Sequence, residues 1–199
     1  MVQKKRLAGK DYITCGIFSA LYFVALLISS IMNMTGYTAL FYPAVASFFI
    51  GILFVVLNVK IQKRGAVAIF SIIPCLYFFT SGVIEGLIGA VGVFVFAGIA
   101  EAILWNHHDN VKRIMAAGVV YTMDLSIVGF SENFLATDAY CDNALAHGIN
   151  EMVVDQMRYL YGMKPLWLVT IAVTALLTFC GILIGKRIMK KHLKKAGIL

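Results

Sequence analysis

The chain has 199 residues, of which 61% are hydrophobic and only 14% are charged, and its formal net charge is +7. Soluble domains are about half apolar and about a quarter charged, so this composition excludes an ordinary soluble domain and indicates an integral membrane protein. The apolar residues come in long blocks, and a block of ~20 such residues is what an α-helix needs to cross the hydrocarbon core of a bilayer.

Six apolar blocks follow one another along the chain. The block from 66 to 105 is too long for one span, and a turn at "TSGVIEG" divides it into two. The first block exceeds the ~7–15 apolar residues of a signal peptide, so we expect it to be retained as a span. The sequence therefore predicts an all-α membrane protein, a bundle of six transmembrane helices forming one domain over 1–199. The predicted spans are 12–33, 39–59, 66–82, 86–105, 113–130 and 166–185.

The basic residues predict the orientation of these spans. With six spans, 15 of the 17 basic residues fall on one side of the membrane, and Arg158 and Lys164 remain on the other. The positive-inside rule makes the basic side cytoplasmic. We therefore expect a multi-pass protein of the cytoplasmic membrane with both termini inside, whose basic clusters contact lipid headgroups. No motif accompanies the positive charge that would indicate nucleic-acid binding.

The connection between the fifth and sixth spans, 131–164, is the long one on the predicted outer side. In its part "NEMVVDQMRYLYG", Val153 and Met157 recur at helical spacing. Asn150 is suited to begin such a helix and Gly162 to end it. The pattern predicts a short amphipathic helix lying over the outer face. Two interpretations stay open: a lid over a bound molecule, or a static interfacial anchor.

Polar residues within the apolar blocks are candidates for function, because such groups are costly in lipid. Asp124 is the deepest acid, roughly 16–17 Å beyond Arg113 along a helix, and is suited to a ligand or to an interhelical hydrogen bond. Glu85 lies at an outer turn. Glu101 lies near the inner end of span four, where a basic residue of the next loop or another subunit is the expected partner.

The stretch "WNHHDN" contains two histidines beside an aspartate, as metal or catalytic clusters do. Adjacent histidines point in different directions on a helix, and no third ligand is spaced to join them. We therefore interpret it as a solvated inner loop and predict no metal site. The four cysteines include no Cys-x-x-Cys pair.

Small residues Gly16 and Ala20 stand four apart in "GIFSA" on span one. Such a face allows close approach of another helix within lipid. The approaching helix can belong to the same bundle or to another subunit.

These features together resemble a known family. The start "KDYITCGIFSALYFVALLIS", six short spans and a glycine-rich fourth span ending "GIAEAIL" resemble an S component of an energy-coupling-factor (ECF) transporter. Within that group the chain most resembles the Trep_Strep-type integral membrane proteins. The resemblance covers essentially the whole chain and rests on pattern and architecture.

The resemblance implies a substrate-binding subunit rather than an enzyme. In such proteins the connections after helices one, three and five close an outward-opening pocket, and an Ala-x-x-x-Ala face on helix one docks on a transmembrane coupling subunit. Gly16 and Ala20 stand at those positions here. Two ATPase subunits would supply energy, since this chain contains no Gly-x-x-x-x-Gly-Lys-Ser/Thr loop. The implied mechanism is toppling of the loaded bundle in the membrane.

The expected outer half is rich in aromatic and methionine side chains, which favours a flat, partly apolar ligand such as a vitamin or a tetrapyrrole. An interfacial aromatic belt also accounts for many of them. No permanently bound cofactor is expected, but haem is one candidate substrate, with His147 as the candidate iron ligand. The candidate substrate-binding residues are Tyr37, Tyr42, Tyr77, Glu85, Tyr121, Asp124, His147, Met152, Arg158 and Tyr159.

Two other classes of function stay open at this point. One is an intramembrane enzyme using Asp124, Glu101 or the histidine cluster, although catalytic groups must converge and these residues are predicted at different depths. The other is a structural membrane subunit without a ligand.

Overall fold

The structure is a computed structural model that describes the backbone of residues 6–79 and 83–195 and the side chains of 6–79 and 87–191. Within these ranges the chain is helical, and no strand occurs. A short 3-10 helix, Ser30–Met34, follows the first α-helix. The α-helices are α1 (Gly9–Ser29), α2 (Gly36–Ala39), α3 (Tyr42–Ile61), α4 (Ala66–Phe70), α5 (Ile72–Phe79), α6 (Val83–Leu104), α7 (Val111–Ile127), α8 (Ser131–Leu135), α9 (Thr137–Ala146), α10 (Glu151–Gly162) and α11 (Pro165–Lys195).

Four helical segments of the described residues are long and apolar enough to cross a membrane. They are Gly9–Met34, Tyr42–Ile61, Leu87–Leu104 and Pro165–Lys191. These segments correspond to the first, second, fourth and sixth predicted spans. The third corresponds to a shorter apolar segment, Ala66–Phe79, and the fifth to α7, which has 17 residues. The all-helical membrane class is thus confirmed.

The third predicted span, 66–82, is interrupted at Ser71, between α4 and α5. Pro74 has no N–H to donate to the carbonyl four residues earlier, so the regular hydrogen-bond ladder is broken here. The Ser71 hydroxyl donates to the Val67 carbonyl at 2.8 Å and lies 2.9 Å from the Tyr121 hydroxyl, which ties the break to α7. Residues 80–82, the predicted end of this span, lie outside the described residues.

Other helix ends differ from the prediction by a few residues. The second span begins at Tyr42 rather than 39, because the preceding residues form the separate turn α2, in which the Thr35 hydroxyl accepts from the Thr38 N–H. The fifth ends at Ile127 rather than 130. The sixth continues to Lys195, since lysine and arginine are good helix formers even where they are too polar for a span.

Close packing of α3 on α11 organises the bundle. A Cβ added at Gly51 would lie 2.9 Å from the Thr178 carbonyl oxygen, and one at Gly185 would lie 2.9 Å from the Ile52 carbonyl oxygen. One at Gly181 would overlap the carbonyl of Phe48. Small residues let the two backbones approach closely. In lipid the hydrophobic effect does not drive helices together, so their association depends on such close packing.

The centre of the bundle is aromatic. Tyr22, Phe54, Phe70 and Tyr121 come from four helices, and all are almost fully buried. Their ring centroids lie between 5.2 and 6.2 Å apart, the range in which aromatic pairs add to burial. We call this cluster and its buried apolar neighbours the bundle core.

Polar contacts join the loops at the end of the bundle where α1 begins. Asp11 accepts from Lys63 at 2.5 Å and from the backbone N–H of Ala8 at 2.7 Å. Arg64 donates to Asn106 at 2.9 Å, and its guanidinium lies 3.4 Å from the ring centroid of Trp105. The α3–α4 and α6–α7 connections therefore meet at this end, as the basic-side prediction requires.

Candidate functional site

A compact helical cap covers the other end of the bundle. It consists of α8, α9 and α10, which occupy most of the long connection 131–164. Asn150 begins α10 by accepting from the Met152 N–H at 2.9 Å, and Gly162 is its last residue. The predicted amphipathic helix with these ends is therefore confirmed. The long connection is ordered helix rather than irregular loop.

The cap has its own apolar core, separate from the bundle core. Its fully buried members include Phe134, Cys141, Met157 and Tyr161, and partly buried Trp167 packs against them. Phe134 stacks on Trp167 with ring centroids 6.0 Å apart. The Trp167 indole N–H donates to the Ser126 carbonyl at 2.7 Å. These contacts fasten the cap to the ends of α7 and α11.

The turn α2 is the second attachment of the cap. The Gly36 N–H donates to Gln156 Oε1 at 3.1 Å. A Cβ added at Gly36 would lie 2.5 Å from Gln156 Cβ and 2.7 Å from the Met157 nitrogen. Only glycine allows α2 to approach α10 so closely. Sequence reasoning missed this contact, although the glycine in "NMTGYTA" was a visible signal.

Three tyrosines pack against the two cores that adjoin at the boundary between the cap and the bundle. Tyr42 packs against both the cap core and the bundle core, Tyr77 packs against the bundle core, and Tyr140 packs against the cap core. Tyr77 comes from α5 and Tyr140 from α9. Of the predicted substrate-binding residues, Tyr42 and Tyr77 thus share one core, and Tyr140, which was not predicted, shares the other core with Tyr42. We call these three residues the boundary tyrosines.

Four other predicted residues lie on the surface of the cap end and do not converge. The exposed fraction is 56% for Tyr37 and 67% for both Met152 and Tyr159. His147 is exposed in the turn between α9 and α10, with its Nδ1 2.8 Å from the Asn143 carbonyl oxygen. The side chain of Glu85 lies outside the described residues.

The two basic residues of this end form contacts within the cap. Arg158 donates to Asp138 at 2.5 Å and to Asp142 at 2.9 Å, which bridges α10 to α9. The hydrogen bonds to Asp142 and Asp138 raise the pKa of Arg158 above its usual value. Lys164 donates to the Phe134 carbonyl and, at 3.2 Å, to the Thr137 hydroxyl. Both cations therefore connect cap helices to one another.

Two predicted residues lie deeper, on α7. Tyr121 belongs to the bundle core and is 2% exposed. Asp124 is 3% exposed, and its Oδ1 has no hydrogen-bond partner. A Cβ added at Gly92 of α6 would overlap this oxygen. The carboxyl therefore lies against the backbone of α6.

Glu101 has a different partner from the one expected. Its carboxylate accepts from the Val67 backbone N–H at 3.0 Å, at the start of α4. A carboxylate at a helix start satisfies a free N–H and complements the helix dipole. The expectation of a basic partner in the next loop is therefore wrong, because the chain folds the α4 start against α6.

The "WNHHDN" loop lies at the opposite end from the cap and is only partly solvated. His107 is exposed, but both ring nitrogens of His108 are buried without a hydrogen-bond partner. Burial lowers the pKa of His108, and the nearby charge of Arg64 lowers it further. Within the described ranges, no three histidine, cysteine or acidic side chains come together as a metal site would require.

The Gly16 and Ala20 face of α1 points away from the bundle. Nothing lies within 4 Å of a Cβ added at Gly16, and Ala20 is exposed. The same helix exposes several large apolar side chains, among them Ile13 and Ile17 at 68% and 56%. Of the two alternatives for this face, packing within the bundle is excluded at Gly16. The face is open to lipid or to another protein.

Comparison with known proteins places the chain in a family. A family model described as "Hypothetical bacterial integral membrane protein (Trep_Strep)" matches residues 9–195. Searches of curated proteins and of solved structures found no match. The matched range contains all the described helices, from α1 to α11. The chain therefore belongs to the Trep_Strep family of hypothetical bacterial integral membrane proteins.

Proposed function

We propose that this protein is the substrate-binding S component of an ECF-type importer. In this proposal all six apolar segments cross the cytoplasmic membrane, both termini are cytoplasmic and the cap lies outside. The chain captures a small molecule under the cap and delivers it inward. A transmembrane coupling subunit and two ATPase subunits complete the transporter, because this chain contains no phosphate-binding loop of its own.

The cap is the observation that carries the proposal. An interfacial anchor needs one amphipathic helix, whereas this connection forms three helices with a separate apolar core. It touches the α2 connection through Gly36 and Gln156 and extends over Tyr42 at the start of α3. This arrangement suits a lid that closes over a ligand, because it joins two of the connections that close the pocket in S components.

The boundary tyrosines are the proposed ligand-contacting surface. Each presents a flat apolar ring and one hydroxyl group, a combination that suits flat ligands with a polar edge. The ligand class that follows is a vitamin-like molecule or a tetrapyrrole. Tyr140 belongs to α9 of the cap, while Tyr42 and Tyr77 belong to the bundle. Movement of the cap would therefore bring Tyr140 to the ligand-contacting surface or withdraw it.

Mass spectrometry of co-purifying small molecules tests the proposal directly. The full chain is purified from bacterial membranes, denatured, and the released compounds are compared with those of an unrelated membrane protein prepared in parallel. We expect one compound in near-stoichiometric amount, and much less of it from Tyr42→Ala. Tyr159→Ala is the matched control, since that side chain is exposed. Recovery of no enriched compound from any growth medium would contradict the proposal.

The haem branch of the proposal has an optical test. Haem added to the purified protein should give a saturable shift of the Soret band, and His147→Ala should alter it if this residue binds the iron. His107→Ala is the control, because His107 lies at the opposite end. Absence of a saturable spectral change would leave a metal-free vitamin as the ligand class.

A further inference from the structure

A groove of about 380 Å³ lies between α6 and the end of α7. Residues of α6 and one residue after α7 line it, namely Leu87, Ile88, Val91, Gly92, Val95, Phe96 and Val128. Leu87, Ile88 and Val91 are each about half exposed, at 51%, 50% and 53%. Since these side chains belong to a helix long and apolar enough to span the membrane, the groove opens toward lipid rather than toward the cap.

One carboxyl oxygen lies directly behind this apolar surface. A Cβ built at Gly92 would overlap Asp124 Oδ1 and would lie 2.7 Å from a Val128 methyl carbon. Gly92 and Val128 therefore lie between Oδ1 and the groove. Because Gly92 has no side chain, Oδ1 lies directly against the α6 backbone. Oδ1 is buried and Asp124 is not part of the groove lining, so the Val128 side chain has to move before a molecule in the groove can reach this oxygen.

No described group satisfies this oxygen. Asp124 is 3% exposed, and its Oδ1 accepts no hydrogen bond. The ion pairs formed by the described side chains are those of Asp11 with Lys63 and of Arg158 with two cap aspartates, and none involves Asp124. A buried polar group without a partner is unfavourable in hydrocarbon, so a ligand that supplies an N–H would remove this cost.

We propose that this groove binds a small apolar amine that enters from the membrane and donates an N–H hydrogen bond to Asp124 Oδ1. The apolar lining of the groove contacts the hydrocarbon body of the amine, and the Asp124 carboxyl group accepts the hydrogen bond from its amino group. Amine and acid together are neutral whether the proton lies on nitrogen or on oxygen, so the pair suits a low-dielectric site. An alcohol of the same shape lacks the charge complementarity and is bound more weakly.

This inference is independent of the proposed import function. The boundary tyrosines and the cap are not part of the groove, and no coupling subunit or ATPase is required for binding. The protein can bind the amine even if it imports no vitamin, and it can import a vitamin even if it binds no amine. The two proposals therefore fail separately.

The test measures equilibrium binding of 1-adamantylamine to the full chain in lipid nanodiscs, with 1-adamantanol as the matched neutral probe and empty nanodiscs as background. We expect saturable binding of the amine and at least about tenfold weaker binding of the alcohol, the ratio typical of a charge-assisted hydrogen bond. Equal affinity for the two probes, or no saturable amine binding, would overturn the proposal on the unmodified chain alone.

Variants locate the bound amine. Asp124→Asn keeps the shape of the side chain and should reduce amine affinity at least about tenfold while leaving the alcohol unchanged. Gly92→Ala places a methyl group where it overlaps both Oδ1 and the Val128 side chain, and it should also reduce amine affinity. Gly98→Ala is the matched control on α6, because nothing lies within 4 Å of its added Cβ. Unchanged amine affinity in a folded Asp124→Asn protein would assign the amine to another site and overturn the proposal.

Discussion

At each end of the molecule, single residues hold neighbouring elements together. At the cap end, Gly36 permits a backbone approach to α10 that any side chain would prevent. At the opposite end, Arg64 contacts both Asn106 and Trp105, and the two ring nitrogens of His108 in the same loop are buried without a hydrogen-bond partner. The first contact holds α2 against the cap, and the buried ring nitrogens of His108 make the opposite end sensitive to protonation.

Replacing Gly36 with alanine should loosen the cap. The added Cβ would lie 2.7 Å from the Met157 nitrogen, which is backbone and cannot rotate away. Overpacking of this kind costs about 1–3 kcal/mol, so amide hydrogen exchange in Glu151–Gly162 should become faster. Gly162→Ala is the control within the same helix, because nothing lies within 4 Å of its added Cβ. Equal exchange in both variants would show that α2 does not hold α10.

Acidic pH should destabilise the end that contains His108. Its pKa is lowered in the folded chain, first by burial and then by Arg64, so the unfolded chain binds the proton more readily. Stability should therefore be full above the ordinary histidine pKa of about 6.5 and should decline as the pH falls toward the lower folded value. Thermal unfolding between pH 5 and pH 8, as an approximate range, should show the decline in the native chain.

The variant His108→Gln should weaken this pH dependence, because glutamine does not titrate. His107→Gln is the matched control, since the neighbouring side chain is exposed. An identical pH profile for the native chain and His108→Gln would mean that other groups cause the decline.

Among whole elements, α1 and α11 differ most clearly in whether their glycines are covered by another helix. The glycines of α11 are covered by α3, and adding a side chain at Gly181 would collide with the Phe48 backbone. Gly16 of α1 faces open space, and Ala20 on the next turn is exposed. The glycines of both helices occur in similar apolar sequence. Those of α11 pack inside the molecule, whereas Gly16 of α1 is available to a partner.

Leucine at Gly16 or Ala20 should block assembly with an ECF module without disturbing the chain itself. Each site is open, so the larger side chain clashes only with a docked helix. Co-purification with the coupling subunit and the ATPases should fall at least tenfold, while the melting temperature and ligand content stay unchanged. Ala172→Leu, at an exposed alanine of α11, is the control. Normal complex formation by both α1 variants would refute this docking face.

At the scale of the whole molecule, the cap and the joined loops define two chemically different ends. The cap end has its own core and internally paired cations. The other end contains the beginning of α1, the loop contacts of Lys63 and Arg64, and the basic continuation of α11. From the positive-inside rule we predict that the second end is cytoplasmic.

Labelling of introduced cysteines should establish this orientation. Met152→Cys, exposed on the cap, should react with a membrane-impermeant thiol reagent in intact cells. Lys190→Cys, exposed near the end of α11, should react only after permeabilisation. Both are made with Cys180→Ser, because Cys180 is the exposed native cysteine and the other three are buried. Labelling of Lys190→Cys in intact cells would reverse the proposed topology.

The sequence by itself determined the membrane class, the approximate positions of the apolar helices and the ends of α10. These properties depend on local composition: an apolar run of sufficient length, a capping asparagine and a terminal glycine act on neighbouring residues. Even the break at Ser71 has a local cause in Pro74, although the apolar composition around it concealed the signal.

Only the tertiary structure decided which residues meet. Gly36 and Gln156 are 120 positions apart, and Lys63 and Asp11 are 52 apart, so no local pattern reveals either contact. The tertiary structure also placed Tyr42, Tyr77 and Tyr140 at the boundary between the cap and the bundle, left His147 exposed, and placed Asp124 Oδ1 against Gly92. The physical reason is that composition sets where a helix lies relative to lipid, whereas its rotation and neighbours follow from close backbone approach between helices distant in the chain.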